Sequence, residues 1–339
     1  MTSSARTASA RKLVALSGGV GGAKLVLGFS EVMPAEDLTV IVNTGDDFEH
    51  MGFSISPDID TLMYTLAGLS NLETGWGRAE ETWSFMDAAA EIGGETWFRL
   101  GDKDIAIHAE RTRRLGAGQS LSQITQHICR QLGLDITIVP MTDDKVRTIV
   151  ETPNGPLPFQ YYFVRERCRP TVTGFTFEGA AAATPQTAFV RALGAPELAA
   201  IVICPSNPFI SIDPILSVPG VRDLLAKARV PVIAVSPIVA GRAIKGPTAK
   251  MMTELGLELS AVTIARHYAG FLDGLIIDQT DGSLAGEVRG LGVAVEIEDT
   301  VMTNLDDKIR LAKTAIEFAR RLRAELPDHR GSGHDRQYA

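Results

Sequence analysis

Short apolar runs alternate with segments of helical periodicity along most of the 339-residue chain. Apolar runs at 13–17 and 38–43 have the length and composition of buried strands, and apolar residues at 22–32 recur with helical spacing. A strand, a glycine-rich turn, a helix and a second strand make a βαβ unit, in which the two strands are parallel and the helix covers one face. The first half of the chain is therefore predicted to build a parallel sheet.

The same alternation continues towards the C-terminus. A helix is predicted at 247–255, with Pro247 at its first position, where a missing N–H costs nothing. Further strands are predicted at 199–205, 230–237, 274–281 and 293–300. Further helices are predicted at 59–69, 80–92, 104–115, 120–132, 219–228, 247–255 and 306–324.

Residues 136–178 interrupt this alternation, because they are rich in β-forming residues and contain a turn at 153–156. We predict that they form an antiparallel insertion and not a separate domain. The predicted fold class is therefore α/β: a doubly wound, mostly parallel, Rossmann-like sheet with a β-rich insertion. One domain is expected to span 12–326, between a disordered tail at 1–11 and a mobile tail at 327–339.

Composition and charge argue against several classes of binding partner and site. A net charge of -8 argues against nucleic acid, because binding its phosphates needs a basic surface. The three cysteines lie far apart without a C-x-x-C pair, which predicts neither a disulfide framework nor a zinc site. No apolar run is long enough for a signal peptide or for the ~20 residues of a membrane span. We expect a soluble, cytoplasmic protein that binds neither nucleic acid nor membrane.

The glycine-rich stretch SGGVGGAK at 17–24 follows the first predicted strand and opens the first predicted helix. It is not a P-loop, because Lys24 is followed by leucine where serine or threonine belongs. It also lacks the third glycine of the dinucleotide fingerprint, since Lys24 stands there after Gly19 and Gly21. Backbone N–H groups before a helix N-terminus still favour an anion site. A tight turn without a ligand is the alternative.

A long acidic loop, NTGDDFEHMGFSISPDIDT at 43–61, follows the second predicted strand. Carboxylates gathered beside a phosphate site repel it unless they share a cation, so a hard divalent ion such as Mg²⁺ is implied. Asp58 and Asp60 also precede a helix, so either could instead serve as an N-cap or as a partner of the helix dipole.

Three further polar stretches follow predicted strands or open predicted helices. The stretch at 99–114 contains Lys103, and places His108 and Arg111 on one helical face at i, i+3; a solvated charged helix is its favoured interpretation. The loops at 204–216 and 236–250 offer hydroxyl and amide groups and a Lys245-Gly246-Pro247 sequence before a helix. Each alone could be a loop with local capping, but together they predict a ligand site at the carboxyl ends of the strands.

The chain resembles the 2-phospho-L-lactate transferases, the CofD or FbiA proteins of coenzyme F-420 biosynthesis. The resemblance extends from Lys12 to about residue 320 and depends on five motifs that occur in the same order. These motifs are SGGVGGAK, NTGDDFEHMGFSISPDIDT, LGDKDIAIHAERTRRL, CPSNPFISIDPIL and SPIVAGRAIKGPTAKMM.

What the resemblance implies is a Mg²⁺-dependent, homodimeric transferase. The donor is a phospho-three-carbon acid (2-phospho-L-lactate, phosphoenolpyruvate or 3-phosphoglycerate type) joined through a diphosphate to guanosine. The acceptor is the ribityl hydroxyl of 7,8-didemethyl-8-hydroxy-5-deazariboflavin, and GMP is released. The sequence leaves open which three-carbon acid the donor carries, because the candidates differ by a few atoms.

The resemblance also implies roles for individual residues. Asp60 and Lys103 are expected to face the acceptor, and Asp58 to act in catalysis or as a metal ligand. Asp46, Asp58 and Asp60 are the candidate metal ligands. The residues expected to bind the guanosine diphosphate part are Gly18, Gly19, Gly21, Gly22, Lys24, Ser206, Asn207, Ser236, Lys245 and Gly246.

The alternative function is a non-catalytic regulator that binds nucleotide sugars and belongs to a related glycine-loop group. The S-P-D-x-D element at 56–60 favours the enzyme, because that group has a shorter acidic loop without it. Two expectations for variants follow. Gly21→Val is expected to weaken GDP binding strongly while the fold survives, because the backbone approaches phosphate there and Gly21 is expected to have a positive φ. Asp60→Asn is expected to lose most turnover while it keeps the helix cap, the melting temperature and the GDP affinity.

Overall fold

The computed structural model describes residues 11–73, 75–244 and 246–325 of the chain. The predictions for the two tails therefore lie outside the described residues, except at Arg11. The strands are β1 (Lys12–Ser17), β2 (Leu38–Val42), β3 (Phe48–His50), β4 (Phe53–Ile55), β5 (Thr137–Pro140), β6 (Arg147–Glu151), β7 (Leu157–Pro158), β8 (Gly174–Glu178), β9 (Leu198–Ile203), β10 (Val232–Val235), β11 (Ile238–Val239), β12 (Arg242–Ala243), β13 (Gly274–Asp278) and β14 (Ala294–Glu298).

Helices follow most of the strands of the main sheet. They are α1 (Gly19–Val32), α2 (Pro57–Leu66), α3 (Ser84–Glu91), α4 (Asp102–Gly116), α5 (Leu121–Gln131), α6 (Thr187–Leu193), α7 (Asp213–Ser217), α8 (Val221–Ala226), α9 (Thr248–Glu254), α10 (Ala261–His267), α11 (Ala285–Gly290) and α12 (Leu305–Glu325). Among the described residues, no helix combines the length and the apolarity that crossing a bilayer requires.

Seven parallel strands form the central sheet, in the order β14-β13-β10-β9-β1-β2-β5. The chain starts at β1, winds outward through β2 to β5, returns to β9 beside β1, and winds outward again to β14. This is the doubly wound, Rossmann-like order, so the predicted fold class is confirmed. The order reverses between β1 and β9, where a crevice opens beyond the carboxyl ends of the strands and ligands bind in such folds.

Both faces of the sheet are covered, which explains why β1 is almost continuously apolar. Alternate residues of β1 enter opposite cores: Val14 and Leu16 pack on one face, and Leu13 and Ala15 on the other. The second core contains the apolar sides of α1 and α12. A Cβ at Gly28 would lie 2.2 Å from the Lys308 carbonyl oxygen, so α1 and α12 approach closely only because residue 28 is glycine.

The predicted insertion is smaller than residues 136–178. Strand β5 pairs in parallel with β2 at the edge of the main sheet, so 137–140 belongs to the doubly wound sheet. The antiparallel part is the three-stranded sheet β7-β6-β8. Residues Tyr161–Arg165, predicted to be β-rich, form a single π-helical turn instead. The boundary was wrong because an apolar run such as 136–140 has the same pattern in either kind of sheet.

Pro247 is not the first residue of its helix. It occupies the N-cap of α9, with φ -86° and ψ 9°, and the helix begins at Thr248. The long acidic loop between β2 and α2 also has structure that the sequence did not predict. It contains the antiparallel hairpin β3-β4, which carries the chain back to the start of α2.

Candidate active site

The glycine-rich loop joins the end of β1 to the start of α1. Gly18 is the extended N-cap of α1, and Gly19 has a φ of +64°, a conformation that favours glycine. The loop is tied to the exit of β9, because Ser206 Oγ donates to the Gly18 carbonyl oxygen at 2.8 Å and accepts from the Gly18 N–H at 3.4 Å. The first turn of α1 therefore points its N–H groups into the crevice between β1 and β9.

The glycines of this loop are required by close packing. A Cβ at Gly18 would lie 2.6 Å from the Ser211 Cβ, and one at Gly22 would lie 2.3 Å from Ser17 Oγ. A Cβ at Gly21 would lie 2.2 Å from the Pro205 carbonyl oxygen. The expectation that Gly21 needs a positive φ is wrong, since the positive φ belongs to Gly19.

A cavity of about 730 Å³ opens at this crevice. Gly22 and Lys103 are not among its lining residues, and Lys245 lies outside the described residues. The Lys103 side chain is 43% exposed, and its Nζ lies 3.7 Å from Glu80 Oε2, so its contact with an acceptor stays a prediction. The predicted site residues that line the cavity are Gly18, Gly19, Gly21, Lys24, Asp46, Asp58, Asp60, Ser206, Asn207, Ser236 and Gly246.

Several of these side chains hold the loops in place. Lys24 Nζ donates to the Met302 carbonyl oxygen at 2.8 Å. Asn207 Oδ1 accepts from the Phe209 N–H at 2.9 Å, which caps the turn after β9. Ser236 Oγ exchanges hydrogen bonds with the Ile238 backbone at 3.0 and 3.1 Å. The strand exits are therefore fixed by local side-chain bonds, as the capping interpretation predicts, and also face one cavity.

Two buried carboxylates, Asp46 and Asp58, face the cavity beside the glycine-rich loop. Burial raises the pKa of Asp58 to about 6, although hydrogen bonds from Asn43 and the Gly19 backbone oppose the shift. Burial and then the charge of Asp58 raise the pKa of Asp46 well above its ordinary value. Asn43 is fully buried at the end of β2 and donates to Asp58 Oδ2 at 2.9 Å. The charge of Asp58 disfavours the ionisation of Asp46, so the pair favours a proton or a bound cation.

Asp60 has a different environment, because it is paired with an arginine. Arg111 Nη1 donates to Asp60 Oδ2 at 3.1 Å, and Arg111 Nη2 donates to Asp60 Oδ1. His108 Nδ1 lies 3.6 Å from Asp60 Oδ2. Both His108 and Arg111 are 1% exposed, so the interpretation of α4 as a solvated charged helix is wrong for this face.

The fit of a metal ion differs between the three candidate ligands. Among the described residues, no three His, Cys, Asp or Glu side chains are arranged to hold a metal by themselves. Asp60 is engaged with Arg111, whereas Asp46 and Asp58 share a cavity wall and have raised pKa values. A pair of carboxylates suits Mg²⁺, which is commonly held by one or two carboxylates together with substrate phosphates and water.

Sequence reasoning missed the aromatic lining of the cavity. Asp104 and Tyr64 lie there and hydrogen-bond to each other, and Arg99 stacks 3.8 Å above the Trp83 ring. Aromatic residues before α4 and in the segment after β7 were the available signal, because both stretches are dense in phenylalanine, tyrosine or tryptophan. The aromatic residues that line the cavity besides Tyr64 are Trp76, Trp97, Phe98, Phe159 and Phe163.

Comparison with known proteins decides the family. The sequence matches the family described as 2-phospho-L-lactate transferase CofD over residues 13–314. The chain belongs to the 2-phospho-L-lactate transferase family. This confirms the resemblance drawn from the five motifs, and it makes the protein a transferase of the CofD type.

Relatives of the CofD type match almost the whole chain. A phosphoenolpyruvate transferase of Streptomyces griseus is 40% identical over 319 residues, which cover 92% of this chain and 100% of that protein. A 2-phospho-L-lactate transferase of Methanosarcina acetivorans is 36% identical over 304 residues, which cover 90% of this chain and 98% of that protein. A UPF0052-family protein of Bacillus halodurans has a similar solved structure, with a TM-score of 0.59 and 13% identity over 90% of this chain and 99% of that one. This last likeness shows the fold alone.

Proposed function

We propose that the protein transfers a phospho-three-carbon-acid group from a guanosine diphosphate-linked donor to the ribityl hydroxyl of 7,8-didemethyl-8-hydroxy-5-deazariboflavin, with release of GMP, in coenzyme F-420 biosynthesis. One observation carries the proposal. A single cavity joins a glycine-rich helix N-terminus, a pair of buried carboxylates and an aromatic wall. These three parts suit a diphosphate, a cation and a flat ring system, respectively.

The donor's diphosphate is assigned to the glycine-rich side of the cavity. The first turn of α1 supplies N–H donors and the positive end of the helix dipole. Asn207, Ser236 and Gly246 line the cavity at the exits of the neighbouring strands, where the guanosine would lie. The flavin-like acceptor is assigned to the aromatic part of the lining, because offset or edge contacts with tryptophan and phenylalanine rings favour a flat aromatic ligand.

Mg²⁺ is part of the same proposal. Asp46 and Asp58 would hold it, because both carboxylates are buried and line the cavity, and Asp58 lies beside the glycine-rich loop. When bound, the ion would offset part of the negative charge of the two acids and the diphosphate and polarise the phosphoryl oxygens. Asp60 is not assigned to the ion, because Arg111 already supplies the positive charge beside it.

Displacement at phosphorus needs positioning and charge stabilisation more than a covalent intermediate. The ribityl oxygen forms a bond to the phosphorus that carries the three-carbon acid, the bond from that phosphorus to the bridging oxygen breaks, and GMP departs. The hydroxyl releases its proton to water as its oxygen bonds to phosphorus. Asp60 lines the cavity and would accept the hydroxyl's hydrogen bond, which orients the attacking oxygen.

Isothermal titration separates this function from the regulatory alternative. The transferase is expected to bind GDP and the deazaflavin alcohol, and a nucleotide-sugar regulator to bind UDP-sugars and not the deazaflavin. Binding of UDP-sugars without deazaflavin binding would contradict the proposal. The proposal includes a homodimer, which light scattering on the purified protein would measure.

A further inference from the structure

Arg111 lies behind Asp60 and outside the cavity. The arginine is 1% exposed and is not among the cavity-lining residues, whereas Asp60 is one of them. Its two terminal nitrogens donate to the two carboxylate oxygens of Asp60. A paired, two-point contact of this kind fixes the plane of a carboxylate as well as its position.

The guanidinium is itself held on two further sides. Nη1 lies 3.2 Å from the Ser54 carbonyl oxygen and 3.3 Å from His108 Nδ1. A guanidinium has no acceptor, so Nδ1 must be the accepting nitrogen of the ring, and a ring proton then belongs on Nε2. That Nε2 lies 3.4 Å from Asp104 Oδ2. Side chains from α2 and α4 and the backbone of β4 therefore converge on one arginine.

Stability alone does not explain such a pair. Desolvating two charges costs about as much as their attraction returns, so a buried ion pair is often no more stable than apolar residues of the same volume. Here one partner faces the ligand cavity and the other faces away from it. An ionised carboxylate offers about four lone-pair sites. With Arg111 on one side of each oxygen, sites remain on Asp60 for a hydroxyl in the cavity.

We propose that Arg111 is a positioning residue for the transfer reaction. It holds Asp60 in one orientation through two hydrogen bonds, so that the carboxylate presents its remaining lone pairs to the acceptor hydroxyl. Arg111 touches neither substrate and acts only through Asp60. This inference rests on the proposed function, and in particular on the placement of the acceptor beside Asp60.

A double-mutant cycle tests the proposal, with Asp60→Asn, Arg111→Gln and the double variant. The double variant removes both charges together and leaves an amide facing an amide, so neither partner is a buried unpaired charge. We expect Arg111→Gln to lower kcat tenfold or more in the wild-type background and less than twofold in the Asp60→Asn background. Equal fold losses in the two backgrounds would overturn the inference.

Arg111→Lys is a second test of the positioning role if a single variant of the cycle does not fold. Lysine keeps the positive charge but not the planar fork. We expect kcat and the affinity for the deazaflavin alcohol, measured by its fluorescence, to fall while the Kd for GDP by calorimetry stays within twofold. A merely structural arginine would lower GDP binding and kcat together. Arg113→Lys, on the same helix and 63% exposed, is the matched control. It is expected to leave kcat, the deazaflavin affinity and the Kd for GDP unchanged.

The two proposals fail in different ways. A wild-type protein that neither binds the deazaflavin alcohol nor forms product contradicts the proposed function, and with it this inference. A wild-type protein that forms product, together with an Arg111→Lys variant of normal kcat, contradicts this inference alone.

Discussion

At the scale of single residues, Asp58 is a buried carboxylate beside the position proposed for the negatively charged diphosphate. It is placed by Asn43 and the Gly19 backbone at the mouth of the helix α1 anion site, where a diphosphate would also lie. Burial raises its pKa to about 6, and its charge helps to raise the pKa of Asp46. In the absence of a cation, the folded protein is therefore expected to retain a proton at this pair under mildly acidic conditions.

The stability of the metal-free protein should depend on pH because of this pair. The pKa of Asp58 rises from 3.8 to about 6 on folding, so the folded chain binds the proton more tightly than the unfolded chain between these values. Stability is then lost as the pH rises from about 4 to about 6, by about 2–3 kcal/mol for a shift of this size. Urea unfolding in EDTA at pH 4 and pH 7.5 would measure the loss.

Asp58→Asn is the matched comparison for that measurement. Asparagine keeps an acceptor for Asn43 but cannot ionise, so the variant should lose less stability over the same pH interval. Mg²⁺ should stabilise the wild type at pH 7.5 and the variant less. An identical pH dependence for the two proteins would contradict the assignment.

Asp60→Asn should lower stability as well as turnover. The sequence alone predicted an unchanged melting temperature, because asparagine caps helices about as well as aspartate. The structure replaces that expectation, since the substitution leaves Arg111 buried and unpaired. We expect a loss on the order of 3 kcal/mol in unfolding free energy. The double variant Asp60→Asn/Arg111→Gln should recover part of it; a single variant as stable as wild type would show that Arg111 finds other partners.

At the scale of elements, the packing of helix α1 against the loop after β9 sets the width of the cavity. Gly21→Ala would place a Cβ 2.2 Å from the backbone oxygen of Pro205, which cannot move aside as a side chain can. We expect a loss of about 1–3 kcal/mol in unfolding free energy and weaker GDP binding. Gly286→Ala in α11 is the control, because no neighbouring atom lies within 4 Å of its Cβ position. That variant should keep or gain stability, and equal stability of the two would contradict the packing argument.

Elements formed by local pattern were predictable from the sequence. Strand β1, helix α1 and strand β2 were predicted within a few residues, because each has its own periodicity and glycine turn. Strand β5 was assigned to the wrong sheet, since its partner β2 lies about a hundred residues earlier and nothing local distinguishes a parallel edge strand from an antiparallel one.

The acidic and glycine-rich parts of the site were also predictable, but the ion pair between Asp60 and Arg111 was not. The sequence placed Asp46, Asp58 and Asp60 in one loop, and all three line the cavity. The partner of Asp60 lies 51 residues away, on a helix so polar that it suggested exposure. Burial of a charged face depends on a tertiary partner, and periodicity carries no information about such a partner.

At the scale of the whole molecule, the reversal of strand order brings together loops that are distant in the chain. The exits of β1 and β9 meet through Ser206 and Gly18, which are 188 positions apart. The aromatic wall is supplied by α2, by the segments before α4 and by the turn after β7. The fold thus brings glycine-loop, carboxylate and aromatic residues from distant parts of the chain to the lining of one cavity.

Removal of divalent ions tests whether the transfer reaction requires a bound cation. EDTA should abolish transfer, and excess Mg²⁺ should restore it, because the two buried acids and the diphosphate need a shared positive charge. A denaturation curve run in parallel should show that the protein remains folded in EDTA. Full activity in EDTA would remove the metal from the mechanism.

The central claim is a transfer between two substrates bound in this cavity, and mass spectrometry of the product measures it most directly. The purified protein would be incubated with Mg²⁺, the deazaflavin alcohol and, in separate reactions, the guanosine diphosphate-linked lactyl, enolpyruvyl and glyceryl donors. The account predicts GMP and a phosphodiester of the deazaflavin alcohol with at least one donor. A preference among donors should be modest, since a few atoms change binding by only ~1–3 kcal/mol. Unchanged deazaflavin with every donor, from a folded protein that binds GDP, would contradict the account.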